Sequence, residues 1–138
     1  MIVADTNTIA YLFFTGEHTS EAEMVMEKDS DWVAPILWRS EFRNVIANYL
    51  RRGLLTLVQA LQIAEQAEFL MMGNEFEITS SRVLSLVSTS NCSAYDCEFV
   101  ALAQELGAPL VTSDLRILAE FSSVAVSPRA FVSGAQSR

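Results

Sequence analysis

Apolar residues in this chain gather in short runs separated by longer amphipathic stretches. Ile2-Val3-Ala4, Trp32-Val33-Ala34, Pro109 to Thr112 and Val124-Ala125-Val126 are mostly apolar and brief, the pattern of strands buried on both faces. Phe76-Glu77-Ile78 alternates, as a half-exposed strand does. The stretches between carry the helical period. In the clearest, Phe42, Val45, Ile46, Tyr49 and Leu50 follow the i, i+3, i+4, i+7, i+8 stripe. Arg51 and Arg52 load its last turn, Gly53 ends it, and Pro35 is placed in its first turn.

Capping signals mark the other helices. Ser20-x-x-Glu23 reads as a capping box opening a helix through about Lys28. Thr56 with Gln59 opens another, running to about Met72 and stopping at Gly73. Thr79 or Ser80 starts a helix carrying Val83, Leu84 and Val87, and Ser93-x-x-Asp96 starts one that ends at Gly107. Residues 114–120 form a short helix. The Ser/Gly-rich tail from Ser127 is expected to fray, which bounds the domain at 1–126 and leaves 127–138 as a tail. Short strands alternating with helices predict an α/β layered domain with a mostly parallel sheet.

A chain of 138 residues, 51% apolar and 19% charged, is one domain that can bury about 68% of its unfolded surface. Cys92 and Cys97 lack Cys-x-x-Cys spacing and His18 is the single histidine, so there is no zinc constellation. No stretch approaches the ~20 apolar residues of a membrane span, and no basic region precedes an apolar segment as in a signal peptide. A cytoplasmic protein is expected. The net charge of −8 argues against loose binding to nucleic acid. It leaves a nuclease open, because bound metal ions reverse the field of an acidic pocket.

The candidate chemistry lies in four acids. Asp5 and Asp114 close apolar strand runs, where sites form in open parallel sheets. Glu41 and Asp96 fall on or beside apolar helix stripes. Each has a bland explanation: Asp5, Asp96 and Asp114 suit helix caps, and Glu41 could pair with Arg39 or Arg43. All four explanations must hold at once to dismiss a site. A carboxylate facing a core is costly unless paired, protonated or bound to a cation. Four of them suit Mg²⁺ or Mn²⁺, with Asp5, Asp96 and Asp114 as ligands and Thr6, Asn7, Thr112 and Ser113 as supporting polar neighbours. Arg39, Arg43 and Arg116 are the cations nearest to the acids and the candidates for phosphate contacts.

These residues resemble a known family. Asp5-Thr6-Asn7 after the first strand, Ser40-Glu41 in the helix after the second, Ser93 to Ala103 around Asp96, and Gly107 to Asp114 are similar to the four motifs of PIN-domain ribonucleases. The likeness is greatest to the small VapC-type toxins of toxin–antitoxin pairs and covers nearly all of the chain through about residue 126. It implies a three-layer domain of about five parallel strands with helices on both faces. It also implies a Mg²⁺- or Mn²⁺-dependent endoribonuclease using Asp5, Glu41, Asp96 and Asp114, a homodimer, and a small co-encoded antitoxin. The family often has a further acid just beyond the fourth motif, and Leu115 to Ala119 holds none. Other acid-lined folds fit less well. A phosphotransfer receiver needs an Asp on a middle strand and a late lysine, and the chain's one lysine is Lys28. A haloacid-dehalogenase-like phosphatase needs an Asp where Asn7 stands. The alternative function is a PIN-like module that binds RNA or protein without cutting. Finally, Leu57, Leu61, Phe69, Leu70, Met71 and Met72 make an apolar surface broader than one small domain covers, which predicts the homodimer.

Overall fold

The structure, a computed structural model, describes residues 1–134. Five strands form one wholly parallel sheet: β1 (Ile2–Ala4), β2 (Trp32–Pro35), β3 (Glu75–Phe76), β4 (Leu110–Val111) and β5 (Ala125–Val126). Their order is β3-β2-β1-β4-β5. The helices α1 (Thr6–Phe13) and α2 (Thr19–Lys28) link β1 to β2, and α3 (Trp38–Arg51) and α4 (Leu57–Leu70) link β2 to β3. From β3 the chain passes through α5 (Ser80–Ser88) and α6 (Ala94–Leu106) to β4, and through α7 (Leu115–Glu120) to β5. The helix α8 (Pro128–Ser133) follows.

The first two crossovers step outward from β1 in one direction and the next two step in the other. Right-handed connections therefore put α1 to α4 on one face and α5 to α7 on the opposite face. This is the three-layer parallel architecture expected. The order reverses between β1 and β4, so the carboxyl ends of these two strands form the switch point.

Burial explains the strand composition: Ile2, Val3, Ala4, Leu110 and Val111 are fully enclosed. On one face Trp38, Phe42 and Ile9 fill the space under the helices, with the Trp38 and Phe42 rings 5.5 Å apart. On the other, α6 lies against β1, β2 and β4 through Phe99, Val100, Leu102 and Ala103, with α5 packed against it.

Several boundaries differ from the sequence reading. Pro35 ends β2 rather than entering α3, which starts at Trp38. The strand β3 pairs at Glu75 and Phe76, one residue earlier than the alternation suggested, because Arg39 and Trp38 Nε1 both hold the Glu75 carboxylate. Ser20 caps nothing: α2 starts at Thr19, whose hydroxyl accepts from Gly16 N–H instead.

The tail is the largest correction. Ser127 accepts from Ala130 N–H, Pro128 opens α8, and Gly134 ends it at φ +76°. Pro128 and Phe131 are buried, α8 packs on α2, and Lys28 Nζ bonds the Phe131 carbonyl from above the Phe131 ring. Residues 127–134 are thus part of the folded unit, and 135–138 lie outside the described residues.

Candidate active site

The residue after β1 is Asp5, and its backbone N–H still reaches Val111 O of β4 at 3.4 Å. The strand ends are therefore stitched together before either chain turns into a helix. Asp5 caps α1: its Oδ1 accepts from Thr8 N at 2.9 Å and from Thr8 Oγ1 at 2.6 Å. Its Oδ2 accepts from Thr112 Oγ1 at 2.5 Å. The same Thr112 hydroxyl accepts from Asp114 N at 3.0 Å, so one buried side chain joins the first acid to the backbone of the fourth. Asp114 in turn caps α7, with Oδ1 accepting from Ile117 N.

Glu41 stands in the first turn of α3, its Oε1 accepting from Thr6 Oγ1 at 2.6 Å. Asp96 stands in the first turn of α6, where Ser93 accepts from its backbone N–H. Only that half of the anticipated box forms, so the Asp96 carboxylate does not turn back onto the Ser93 backbone. The bland readings of Asp5 and Asp114 as caps are thus correct. They do not exhaust these side chains, because a carboxylate oxygen has two lone pairs and Asp114 Oδ2 carries no bond.

All four acids line one cavity of about 560 Å³, with Thr6, Asn7, Ser40, Asn44 and Tyr95 beside them. The N-termini of α1, α3, α6 and α7 open onto it. Their partial positive charges favour anions there and offset part of the repulsion between the acids. Burial still dominates the balance. It raises the Asp5 carboxyl above the ordinary range against the hydrogen bonds of Thr112 and Thr8, and the Asp114 charge adds to the rise. Glu41 is raised by burial and then, against the Thr6 bond, by the charges of Asp96 and Asp5. Asp96 is raised by burial and by Asp114, with Ser93 and Arg116 acting in the opposite sense.

This is a negative pocket that a cation would relieve, built from hard oxygen donors. Among the described residues, however, no three His, Cys, Asp or Glu side chains converge into a closed metal-ligating group. The donor set fits an ion that keeps several waters and takes one or two carboxylates directly, as Mg²⁺ does, and does not fit an all-protein cage.

Asn7 lines the cavity but bonds no neighbour, and Ser113 does not line it, its hydroxyl instead lowering the Tyr11 phenol that burial and Asp5 raise. Arg39 gives Glu75 two bonds at 2.6 and 2.8 Å and lies 3.7 Å from Glu68. Arg43 is exposed near Glu68, and neither lines the cavity. Arg116 donates to Asn91 O at 3.1 Å, with its charge felt by Asp96. Glu120 accepts from Asn91 N and does not line the cavity. Sequence reasoning missed Thr8, Asn44 and Tyr95. Asn44 was legible, since it follows Ser40 and Glu41 by one helical turn. Thr8 reads in the sequence as one more polar residue of the Asp5-Thr6-Asn7-Thr8 run, and only the fold shows its hydroxyl turned onto Asp5.

A sequence model of the PIN domain matches residues 2–125. The chain belongs to the PIN domain family. Among its relatives, Ribonuclease VapC3 of Pyrobaculum aerophilum is 28% identical over 126 residues, covering 89% of this chain and 96% of the relative. Solved structures share the fold at lower identity. The crystal structure of PAE2754 from Pyrobaculum aerophilum matches at a TM-score of 0.75 and 16% identity, covering 99% of this chain and 97% of that one. A toxin–antitoxin complex from Klebsiella pneumoniae matches at 0.69 and 19%, covering 93% and 98%. FitAcB from Neisseria gonorrhoeae matches at 0.71 and 16%, covering 94% and 99%.

Proposed function

We propose that this PIN domain is a Mg²⁺- or Mn²⁺-dependent endoribonuclease that hydrolyses RNA phosphodiester bonds, acting as the toxin of a VapBC-type pair. The observation that carries the reading is the meeting of Asp5, Glu41, Asp96 and Asp114, from four separate segments, around one cavity at the sheet's switch point. The matches to Ribonuclease VapC3 and to a toxin–antitoxin complex support the same reading.

A divalent ion held here would supply a bound water of lowered pKa and a positive charge for a phosphate oxygen. The residues that would hold it are Asp5, Asp96 and Asp114. Asp5 is fixed in one orientation by three donors, leaving a lone pair on Oδ2. Glu41 is fixed through Oε1 by Thr6, and its raised pKa suits it to accept a proton at Oε2 from an attacking water. Arg116, beside Asp96, is the cation best placed to meet a substrate phosphate, since Arg39 is spent on Glu75.

The partners follow from the surface. Leu57, Leu61, Phe69 and Met72 remain exposed along and just beyond α4, and this patch is proposed to bury itself in a homodimer. A small antitoxin would cover the acidic cavity. Among the described residues no helix is long and apolar enough to cross a membrane.

The test is cleavage of a random-sequence RNA pool by purified protein. EDTA should abolish cutting, Mg²⁺ or Mn²⁺ should restore it, and Asp96→Asn should remove it by at least a hundredfold. Cleavage that survives chelation and repurification rules out the metal mechanism. RNA binding without any cleavage in Mn²⁺ would instead favour the non-catalytic module.

A further inference from the structure

A second cavity, of about 240 Å³, shares Asn7 and Val45 with the acidic one. Two ring pairs line it. Tyr11 stacks on His18 with centroids 4.7 Å apart and planes 29° from parallel, and Phe14 stacks on Tyr49 at 4.3 Å and 28°. The four rings come from α1, α3 and the loop into α2, and none has a part in the hydrolysis above. All four are only partly buried.

The lining selects among ligands. It contains no Lys or Arg and does contain Glu17. The Glu17 and Glu21 carboxylates lie 3.6 and 3.5 Å from the His18 nitrogens. A phosphate entering here would meet negative charge with no fixed guanidinium or ammonium to offset it. An uncharged planar ring meets no such penalty, and the volume, below the roughly 300–1,000 Å³ of pockets for larger ligands, suits a single ring system. Asn7 stands on the shared wall, exposed, with no hydrogen bond to its side-chain amide. An amide presents an acceptor and two donors, the complement of a base edge. Single-stranded RNA is gripped by stacking unpaired bases on aromatic side chains, with polar groups reading their edges.

We infer that the aromatic cavity is a subsite for one unstacked nucleobase of the RNA, belonging to a nucleotide next to the one cut in the acidic cavity. The inference rests on the nuclease reading. The common wall sets the register: a base seated beside Asn7 leaves its own backbone at the rim of the acidic cavity.

The experiment starts from an oligonucleotide selected from the random pool because the wild-type protein cuts it. A single abasic nucleotide is then moved through successive positions. One position beside the cut should lower kcat/KM about tenfold, within the range expected for loss of one base–aromatic stack. Tyr49→Leu and His18→Ala should each lose about as much on the intact oligonucleotide and be insensitive to the abasic nucleotide there. His18→Ala keeps the experiment readable if Tyr49→Leu perturbs the core, because the imidazole caps nothing and sits in a loop. No sensitive position, or equal sensitivity in both variants and wild type, overturns the subsite while leaving the nuclease intact. If the wild-type protein cuts no member of the pool with any divalent ion, the nuclease reading falls, and the subsite with it.

Discussion

Among single residues, Thr112 and Thr8 show how a fold can hold a carboxylate that it also penalises. Both are completely buried, and their hydroxyls supply two of the three hydrogen bonds to Asp5. Desolvation nevertheless leaves Asp5, Glu41 and Asp96 with raised pKa values. A raised carboxyl binds its proton more tightly folded than unfolded. Stability from this source is therefore full at low pH and is lost as pH rises from the ordinary carboxylate range through the raised values. Glu75, lowered chiefly by the Arg39 hydrogen bond, acts oppositely, and its contribution disappears only as pH falls. In EDTA the wild-type protein should melt higher at mildly acidic pH than at neutrality, and Mn²⁺ added at neutrality should recover the difference. Asp96→Asn should raise the neutral melting temperature by about 4 °C if the relieved repulsion is worth roughly 1 kcal/mol. A lower melting temperature for Asp96→Asn would mean that its carboxylate supports the first turn of α6 more than Asp114 repels it.

Elements show a division between local and borrowed stability. The capping box at Thr56 and Gln59 forms as the sequence announced, and α4 needs nothing distant to start there. Helix α8 is the contrary case. Six residues cannot sustain a helix alone. It exists because Phe131 buries its ring against α2 and Lys28 holds its last turn by a carbonyl bond and a ring contact at 4.6 Å. Phe131→Ala should therefore cost about 3 kcal/mol in urea denaturation, near the lower end for a buried phenylalanine. A change under about 0.5 kcal/mol would restore the frayed tail that composition suggested.

Over the whole molecule, a chain of net charge −8 is proposed to act on a polyanion. The acidic cavity would be neutralised locally by its cation, so association should depend on a few contacts and not on a broad basic face. Arg116→Ala should weaken RNA binding and flatten its salt dependence by about one phosphate contact, measured by titration at several salt concentrations. The exposed α4 patch predicts assembly. Leu61, 61% exposed, and Phe69, 76% exposed, contribute little to the monomer's core. Leu61→Glu should leave the melting curve of the monomer nearly unchanged and shift sedimentation at micromolar concentration from dimer to monomer. A wild-type protein that sediments only as a monomer would refute the dimer.

The sequence by itself determined β1, β2, the α3 stripe, the Thr56 cap and the four-acid set, because apolar period and capping chemistry act over one or two turns of chain. It also marked the strand-terminal positions of Asp5 and Asp114. Tertiary structure alone decided which polar groups meet. Thr112 reaches Asp5 across 107 positions, and Arg39 is drawn to Glu75 across 36, which removes it from the acids. Tyr49, placed on the core stripe by periodicity, turns half outward to stack on Phe14. At the end of α4, Phe69 stays exposed while Met71, just past the last turn, is fully buried. A one-dimensional pattern fixes which face of a helix is apolar. The order of strands fixes what that face meets, and only the parallel sheet reversing between β1 and β4 brings four distant carboxylates to one cavity.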